Sequence, residues 1–438
     1  MAEQFFPDVP KIKYEGPDSK NPLAFKHYNA DEVVAGKSMR EHFRFSMCYW
    51  HGMTNDLSDP FGVGTRIMPW RQADDPMQAA EQTMHAMFEA LTKLGLDFWC
   101  FHDRDIAPEV EGNLAATNRN LDQIIKLAKA KQDETGVKLL WGTACLFQHP
   151  RYMSGAGTSP YLDAFVHAGA QVKKAIEVTH ELGGAGYVFW GGREGYDTLL
   201  NTDMGLELDN MGRFMQMAVD YAKEIGFTGQ FLIEPKPMEP TKHQYDSDVA
   251  ACHAFLQKYD LVDHFKMNVE QNHAVLAGHT FAHELRYARV NNMLGSMDVN
   301  QGDYLLGWDT DQMPTDPTEA MLAMYEVLAQ GGIAPGGMNF DAHLRRGSFE
   351  PSDIFMGHIA GMDAYARGLK AAHALHESGE LEEFIAKRYS SYSSGIGKKI
   401  VDGQVGFKEL EQYALENSII TNSSVRQEML EGILNRYL

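Results

Sequence analysis

A parallel eight-stranded α/β barrel of the TIM type with an appended C-terminal helical arm is the fold this sequence predicts. Three observations predict it. Short β-like runs alternate with long amphipathic helices eight times, and after about residue 380 the beat stops. The repeat averages roughly 40 residues, a spacing at which successive strands pair in parallel through right-handed crossovers. Eight such units close on themselves. An open doubly wound sheet would want a glycine-rich phosphate loop after its first strand, and none stands there.

Taken in order, the strand candidates are 43–50, 98–101, 138–142, 186–190, 230–234, 265–270, 294–298 and 338–341. The first helix, 76–94, repeats Met84, Met87, Phe88 and Leu91 at three and four, and Gly95 stops it. Further helices are expected near 115–135, 161–183, 210–226, 246–260, 274–293, 316–330 and 353–376, several closed by Gly136, Gly183, Gly226 and Gly331. The barrel with its N-terminal extension thus takes residues 1–380. Residues 381–438 hold two helical pieces, EEFIAKRY and FKELEQYALENS, around a Ser/Gly stretch. Too short to bury a core alone, this arm is expected to pack on the barrel or on another subunit.

A formal charge of −21 argues against a nucleic-acid groove or an anionic membrane surface as partner, since neither is attracted by a field of that sign. No run reaches the 18 apolar residues of a membrane span, and no export signal is visible at the N-terminus. Cys48, Cys100, Cys145 and Cys252 stand far apart with no CxxC pairing, as expected of free thiols in a reducing cytoplasm.

Catalytic side chains of such a barrel project from the C-terminal ends of the strands. There the sequence places Trp50, then His102 and Asp105 in FHDRD, Phe147, Trp190, Glu234 and Lys236 in LIEPKP, Glu270 and His273 in NVEQNH, Asp298, and Asp341 in NFDAH. The stretch GWDTDQMP adds Asp309 and Asp311. Six carboxylates against one imidazole and one ammonium need about two divalent cations to approach neutrality, because paired carboxylates at 4 Å repel by roughly 4 kcal/mol at an effective dielectric of 20. Oxygen ligands with a single histidine favour Mg²⁺, Mn²⁺ or Co²⁺ over Zn²⁺. Glu270 and His273, at i and i+3, share a side of a helix start, and Glu270 stands where it can bridge two ions. Each residue also has an ordinary reading: turn aspartates, a solvated helix start, a salt-bridged Glu234–Lys236 pair, a structural His–Asp bond, core aromatics. Their collection at one end of four consecutive strands favours the site. His102 with its imidazole oriented by Asp105 is built to move a proton. Trp50, Phe147 and Trp190 offer apolar walls suited to the C–H faces of a sugar.

FHDRDIAPE, LIEPKPMEPTKHQYD, EQNHAVLAGHTFAHEL, GWDTDQMPTD and NFDAHLRR together closely resemble the xylose isomerases, in particular the longer class with an N-terminal extension. The resemblance implies an aldose–ketose isomerase that takes D-xylose to D-xylulose and D-glucose to D-fructose. It implies one metal held by Glu234, Glu270, Asp298 and Asp341, and a second held by Glu270, His273, Asp309 and Asp311. His102 with Asp105 would assist ring opening, Lys236 would bond the C1 carbonyl oxygen, and hydride would shift between C2 and C1. Phe61, in DPFGVGT, matches an aromatic that reaches a neighbouring subunit's pocket, which implies an oligomer, usually a homotetramer, clasped by the C-terminal arms. Cys145, Met238 and His343 depart from the pattern, where Asn, a polar residue and Lys are usual. At His343 a titrating group in place of a fixed charge is expected to alter metal affinity or the pH profile. The rival readings are a dimetal hydrolase or nuclease, which the acidic charge disfavours, another sugar isomerase or epimerase, and a non-catalytic sugar-binding protein.

Overall fold

The computed structural model describes residues 4–417 and 422–438. Eight strands form a closed barrel: β1 (Phe45–Cys48), β2 (Phe98–His102), β3 (Lys138–Thr143), β4 (Gly186–Trp190), β5 (Gln230–Glu234), β6 (Phe265–Glu270), β7 (Leu294–Asp298) and β8 (Met338–Phe340). They pair in parallel in chain order, and Met338 against Phe45 closes the ring. Being covered on both faces, the strands read as nearly continuous buried runs rather than alternating ones.

Around the barrel run α1 (Pro76–Leu94), α2 (Leu114–Thr135), α3 (Leu162–Glu181), α4 (Met204–Ile225), α5 (Val249–Lys258), α6 (Phe281–Val290), α7 (Pro317–Gln330) and α8 (Asp353–Ser378). Six open on a side-chain cap: Asp75, Asn113, Asp203, Asp248, Thr280 and Asp316 each accept from a backbone N–H of the first turn. Gly95, Gly136, Gly226 and Gly331 close four of them in the left-handed conformation. Among the described residues no helix is long and apolar enough to cross a membrane.

Three differences from the sequence expectation have an identifiable local cause. The first strand is shorter than 43–50, because a Ser38–Glu41 capping box winds Met39–Phe43 into a helical turn and the chain after Cys48 winds again at Trp50–Thr54. The helix expected at 274–293 is two, Gln271–Leu276 and α6, since Gly278 turns at φ 78° and Thr280 caps a new start. Helix α4 begins at Met204 rather than near 210, where Asp203 supplies the cap. All three are local polar events that an apolar periodicity does not register.

Two carboxylates tie the N-terminal extension to the barrel, and the first is Glu89 on α1, which accepts from the backbone N–H groups of Phe5 and Phe6 at 2.8 and 3.2 Å. Asp363 on α8 accepts from the backbone N–H groups of Lys26, His27 and Tyr28 at 2.8–3.1 Å, and Phe6 packs edge-on against Phe355 at 5.0 Å. Beyond α8 lie α9 (Glu380–Arg388), α10 (Gly395–Val401), α11 (Phe407–Glu416) and α12 (Gln427–Leu434). The Ser/Gly stretch expected as a separator is itself helical, through Ser390–Ser393 and α10. The arm returns on itself through an Arg436–Glu380 ion pair and a 3.0 Å Tyr437 to Glu380 hydrogen bond. Part of the predicted arm, 418–421, lies outside the described residues.

Replacing Asp363 by Ala strands three backbone donors and is expected to lower stability by about 2–3 kcal/mol, the scale of a lost charged hydrogen bond. Urea unfolding measures it, and an unchanged midpoint would show that the extension is anchored elsewhere.

Candidate active site

The barrel register assembles the site. Glu270 at the end of β6 stands beside Asp298 at the end of β7, and Trp190 at the end of β4 beside Glu234 at the end of β5. Asp341 directly follows β8, and the loop after β7 carries Asp309 and Asp311. Asp311 sits at φ 40°, a left-handed conformation that aspartate tolerates better than most side chains. His273, in the first turn of Gln271–Leu276, lies 3.2 Å from Glu270 and 3.3 Å from Asp309.

Two carboxylate groups result, and they share Glu270. Oxygens of Glu234, Glu270, Asp298 and Asp341 lie within 4.8 Å of one another, as do those of Glu270, Asp309 and Asp311. At that separation each ionised pair repels by about 3–4 kcal/mol at an effective dielectric of 20. Burial raises Glu270 far above the ordinary carboxylate range, and Asp309, Asp311, Asp341 and Glu234 push it further. Burial with Glu234 and Asp341 raises Asp298, burial with Asp341 raises Glu234, and burial with Asp309 takes Asp311 up to about 7. Asp309 goes the other way: burial opposes its charge, but the Lys236 ammonium and His273 hold it well below the usual range. Both oxygens of Asp298 are buried without a hydrogen-bond donor. An orphaned buried carboxylate among others is accounted for by a cation, so the residue set fits divalent metal ions.

Two members of this arrangement escaped the sequence reading. His51 Nε2 lies 3.1 Å from Asp311 and 3.0 Å from Asp341, which joins the two carboxylate groups. Burial works against its charge, yet these two aspartates hold the imidazole up to about 10. Asn300 Nδ2 donates to Glu270 at 2.7 Å, to Asp311 at 3.0 Å and to the Asp341 carbonyl at 2.9 Å. Alternation along a strand puts Trp50 and His51 on opposite faces. The helical turn at Trp50–Thr54 instead delivers both, so that Trp50 Nε1 also donates to Asp341 at 2.8 Å. A polar aromatic at each of two successive strand-end positions was the available signal.

A cavity of about 190 Å³ opens on the carboxylates. His102 lines it with Nδ1 2.8 Å from Asp105, which the short helix Asp103–Ile106 holds three residues on. The Trp50 ring lies 4.2 Å from His102, Phe147 5.4 Å from His102, and Trp190 4.5 Å from Phe147. Lys236 pairs with Asp309 and stands 5.3 Å from the Trp190 ring centroid. Burial disfavours its charge, but Asp309 and Asp311 outweigh that and raise it above the ordinary lysine value. Trp141, Thr143 and Val188 complete the wall and were not singled out from sequence. Phe61 does not line this cavity; it is 83% exposed, 6.2 Å from Trp308, at the edge of a wider depression of about 710 Å³. Cys145 is buried and its backbone N–H donates to Asp103 at 2.8 Å, while Met238 is 39% exposed. His343 does not titrate near neutrality as expected: burial, His51 and Arg345 press it down to about 3.

Comparison with known proteins finds relatives over nearly the whole chain. The xylose isomerase of Thermoanaerobacter pseudethanolicus is 60% identical over 435 residues, 99% of both chains. That of Geobacillus kaustophilus is 60% identical over 434 residues, 99% of this chain and 97% of the other.

The chain belongs to the xylose isomerase family. It is therefore an enzyme of the aldose–ketose isomerase class. Residues 385–438 match the XylA2 C-terminal domain. A solved structure from Rhodospirillum rubrum, 14% identical and covering 75% of this chain and 99% of its own, shares the barrel at a TM-score of 0.50.

Two outcomes are expected of this site. His51→Gln breaks the link between Asp311 and Asp341 and should weaken Mn²⁺ binding at least tenfold, the usual effect of removing a ligand's hydrogen-bond partner; calorimetric titration reads it, and unaltered affinity would remove His51 from the frame. For His343 the folded chain stays unprotonated down to about pH 3 while the unfolded chain takes a proton below about 6.5. Stability contributed by the neutral form is lost as pH falls through that window. His343→Gln should thus narrow the stability gap between pH 7 and pH 4 and leave the pH–rate profile above pH 5 unchanged.

Proposed function

We propose that the chain converts D-xylose to D-xylulose, and D-glucose to D-fructose by the same chemistry, with two divalent cations, Mg²⁺ or alternatively Mn²⁺ or Co²⁺. One observation carries the reading: a His–Asp pair, a lysine and carboxylate groups sharing Glu270 meet at one aromatic-walled cavity. Glu234, Glu270, Asp298 and Asp341 would hold the first cation, and Glu270, His273, Asp309 and Asp311 the second. When bound, the pair supplies Lewis-acid polarisation of the carbonyl and grip on the sugar hydroxyls.

The side chains divide the remaining work. His102, engaged at Nδ1 by Asp105, has Nε2 left to take the anomeric hydroxyl proton and return one to the ring oxygen, which opens the sugar. Lys236, kept charged by Asp309, donates a hydrogen bond to the carbonyl oxygen at C1. Trp50, Phe147 and Trp190 cover C–H faces and exclude water. In the open chain, hydrogen passes from C2 to C1 as hydride while the C2 hydroxyl loses a proton and the C1 oxygen gains one, so the product is an isomer. An enediol route would need a free base beside C1 and C2, and the nearby carboxylates are engaged as ligands or ion-paired.

The same reading assigns 1–380 to catalysis and 381–438 to subunit contacts in a cytoplasmic homotetramer, with Phe61 entering a neighbour's pocket. The exposure of Phe407 at 91% and Leu415 at 75% on the arm supports it, as do four unpaired buried cysteines. Chelator-stripped protein given D-xylose should turn over only when Mg²⁺, Mn²⁺ or Co²⁺ is restored, and Asp309→Asn should lose at least a hundredfold. With 2-deuterated xylose the label should stay in the product. Metal-independent turnover would sink the carboxylate assignment, and wash-out of label into water would sink the hydride route.

A further inference from the structure

The segment between Gln271–Leu276 and α6 carries a second group of metal-ligating side chains outside the cavity. Ligand atoms of His279, His283 and Glu284 lie within 4.8 Å of one another. His279 Nδ1 is 2.6 Å from Glu284 Oε1, and His283 Nε2 is 3.9 Å from that same oxygen. The two imidazole rings are 4.6 Å apart between centroids. Gly278 and the Thr280 cap produce this: the chain turns before α6, so His279 precedes the cap while His283 and Glu284 occupy the first turn.

Glu284 is buried and fixed from behind, because its Oε2 accepts the Val249 backbone N–H at 2.7 Å. That leaves Oε1 facing two imidazoles. A His279–Glu284 hydrogen bond explains two members of the group, but not why the His283 ring, 56% exposed, stands beside His279 with its Nε2 turned toward the same carboxylate oxygen. A shared cation explains all three. None of the three lines the large cavity; Glu284 meets Glu270 and His273 only on the lining of a void of about 10 Å³, the scale of a single water.

We propose that His279, His283 and Glu284 bind one zinc-type divalent cation, separate from the oxygen-rich cluster at the strand ends. Two imidazole nitrogens and one carboxylate oxygen are a three-ligand zinc set with a position left for solvent. Their softer donors select Zn²⁺ over Mg²⁺, the reverse of the selection by the carboxylate cluster. The assignment is independent of the reaction proposed above.

Equilibrium dialysis of Zn²⁺ against the full chelator-treated chain tests it, with His283→Gln, His279→Gln and Asp298→Asn as variants. His283→Gln and His279→Gln should each bind one zinc fewer per chain at concentrations that saturate the parent, or bind it at least tenfold more weakly. Asp298→Asn should lose zinc from the strand-end cluster and retain this site. His283→Gln changes an exposed side chain, so it should keep its fold by circular dichroism and its Mg²⁺-supported activity. Parent-like stoichiometry and affinity in His283→Gln would overturn the site, and so would a loss confined to His279→Gln, which would reduce the group to its hydrogen bond with Glu284.

Discussion

Electrostatic repulsion among the carboxylates around Glu270 is the constraint on which the rest of the barrel's C-terminal face depends. Glu270 is buried, belongs to both groups of acidic side chains, and is pressed toward its neutral form by burial and by Asp309, Asp311, Asp341 and Glu234. Such a group is costly to bury unless its charge is matched. The match comes from two directions, the Lys236–Asp309 ion pair and His51 between Asp311 and Asp341, and the unpartnered oxygens of Asp298 fit a bound cation. A parallel barrel suits this arrangement, because its paired strands fix the ends that carry these side chains and leave little room for them to move apart.

The polar frame behind the ligands is as closely built as the ligands themselves. Arg66 is buried and donates to the carbonyl oxygens of His51, Gly52 and Asn55, which pins the Trp50–Thr54 turn. Asn55 meets the other nitrogen of His51 at 3.2 Å. Asn300 reaches three acceptors from the opposite side. In a low-dielectric interior such chains hold a geometry better than isolated contacts do, provided every member is satisfied. The aromatic rings of Trp50, Phe147 and Trp190 line the cavity beside His102 and Lys236.

How much of this was legible varies with the kind of force involved. Strand and helix order was, because burial on both faces of a parallel sheet writes itself as apolar runs between amphipathic segments. Seven strands, β2 through β8, begin where the pattern placed them. The division of 274–293 was not, since a glycine turn and a threonine cap leave the apolar spacing intact on either side. His51 was hidden for a related reason: the expected strand alternation faced it away, and only the winding of the chain at Trp50 brought it round. The low pKa of His343 was equally hidden, because burial and the approach of His51 and Arg345 come from distant parts of the chain.

By itself the sequence determined the class of fold, the crowding of acidic side chains at the ends of successive strands, and the local His102–Asp105 pairing, because each follows from residue type and short-range spacing. The tertiary structure alone decided how closely those carboxylates approach Glu270, that His51 joins Asp311 to Asp341, and that Trp141 completes the cavity wall. Those are matters of barrel register and of contacts between residues up to 291 positions apart, as with Trp50 and Asp341. Charge interactions at such contacts depend on separations of a few ångströms and on burial, and neither quantity is carried by spacing along the chain.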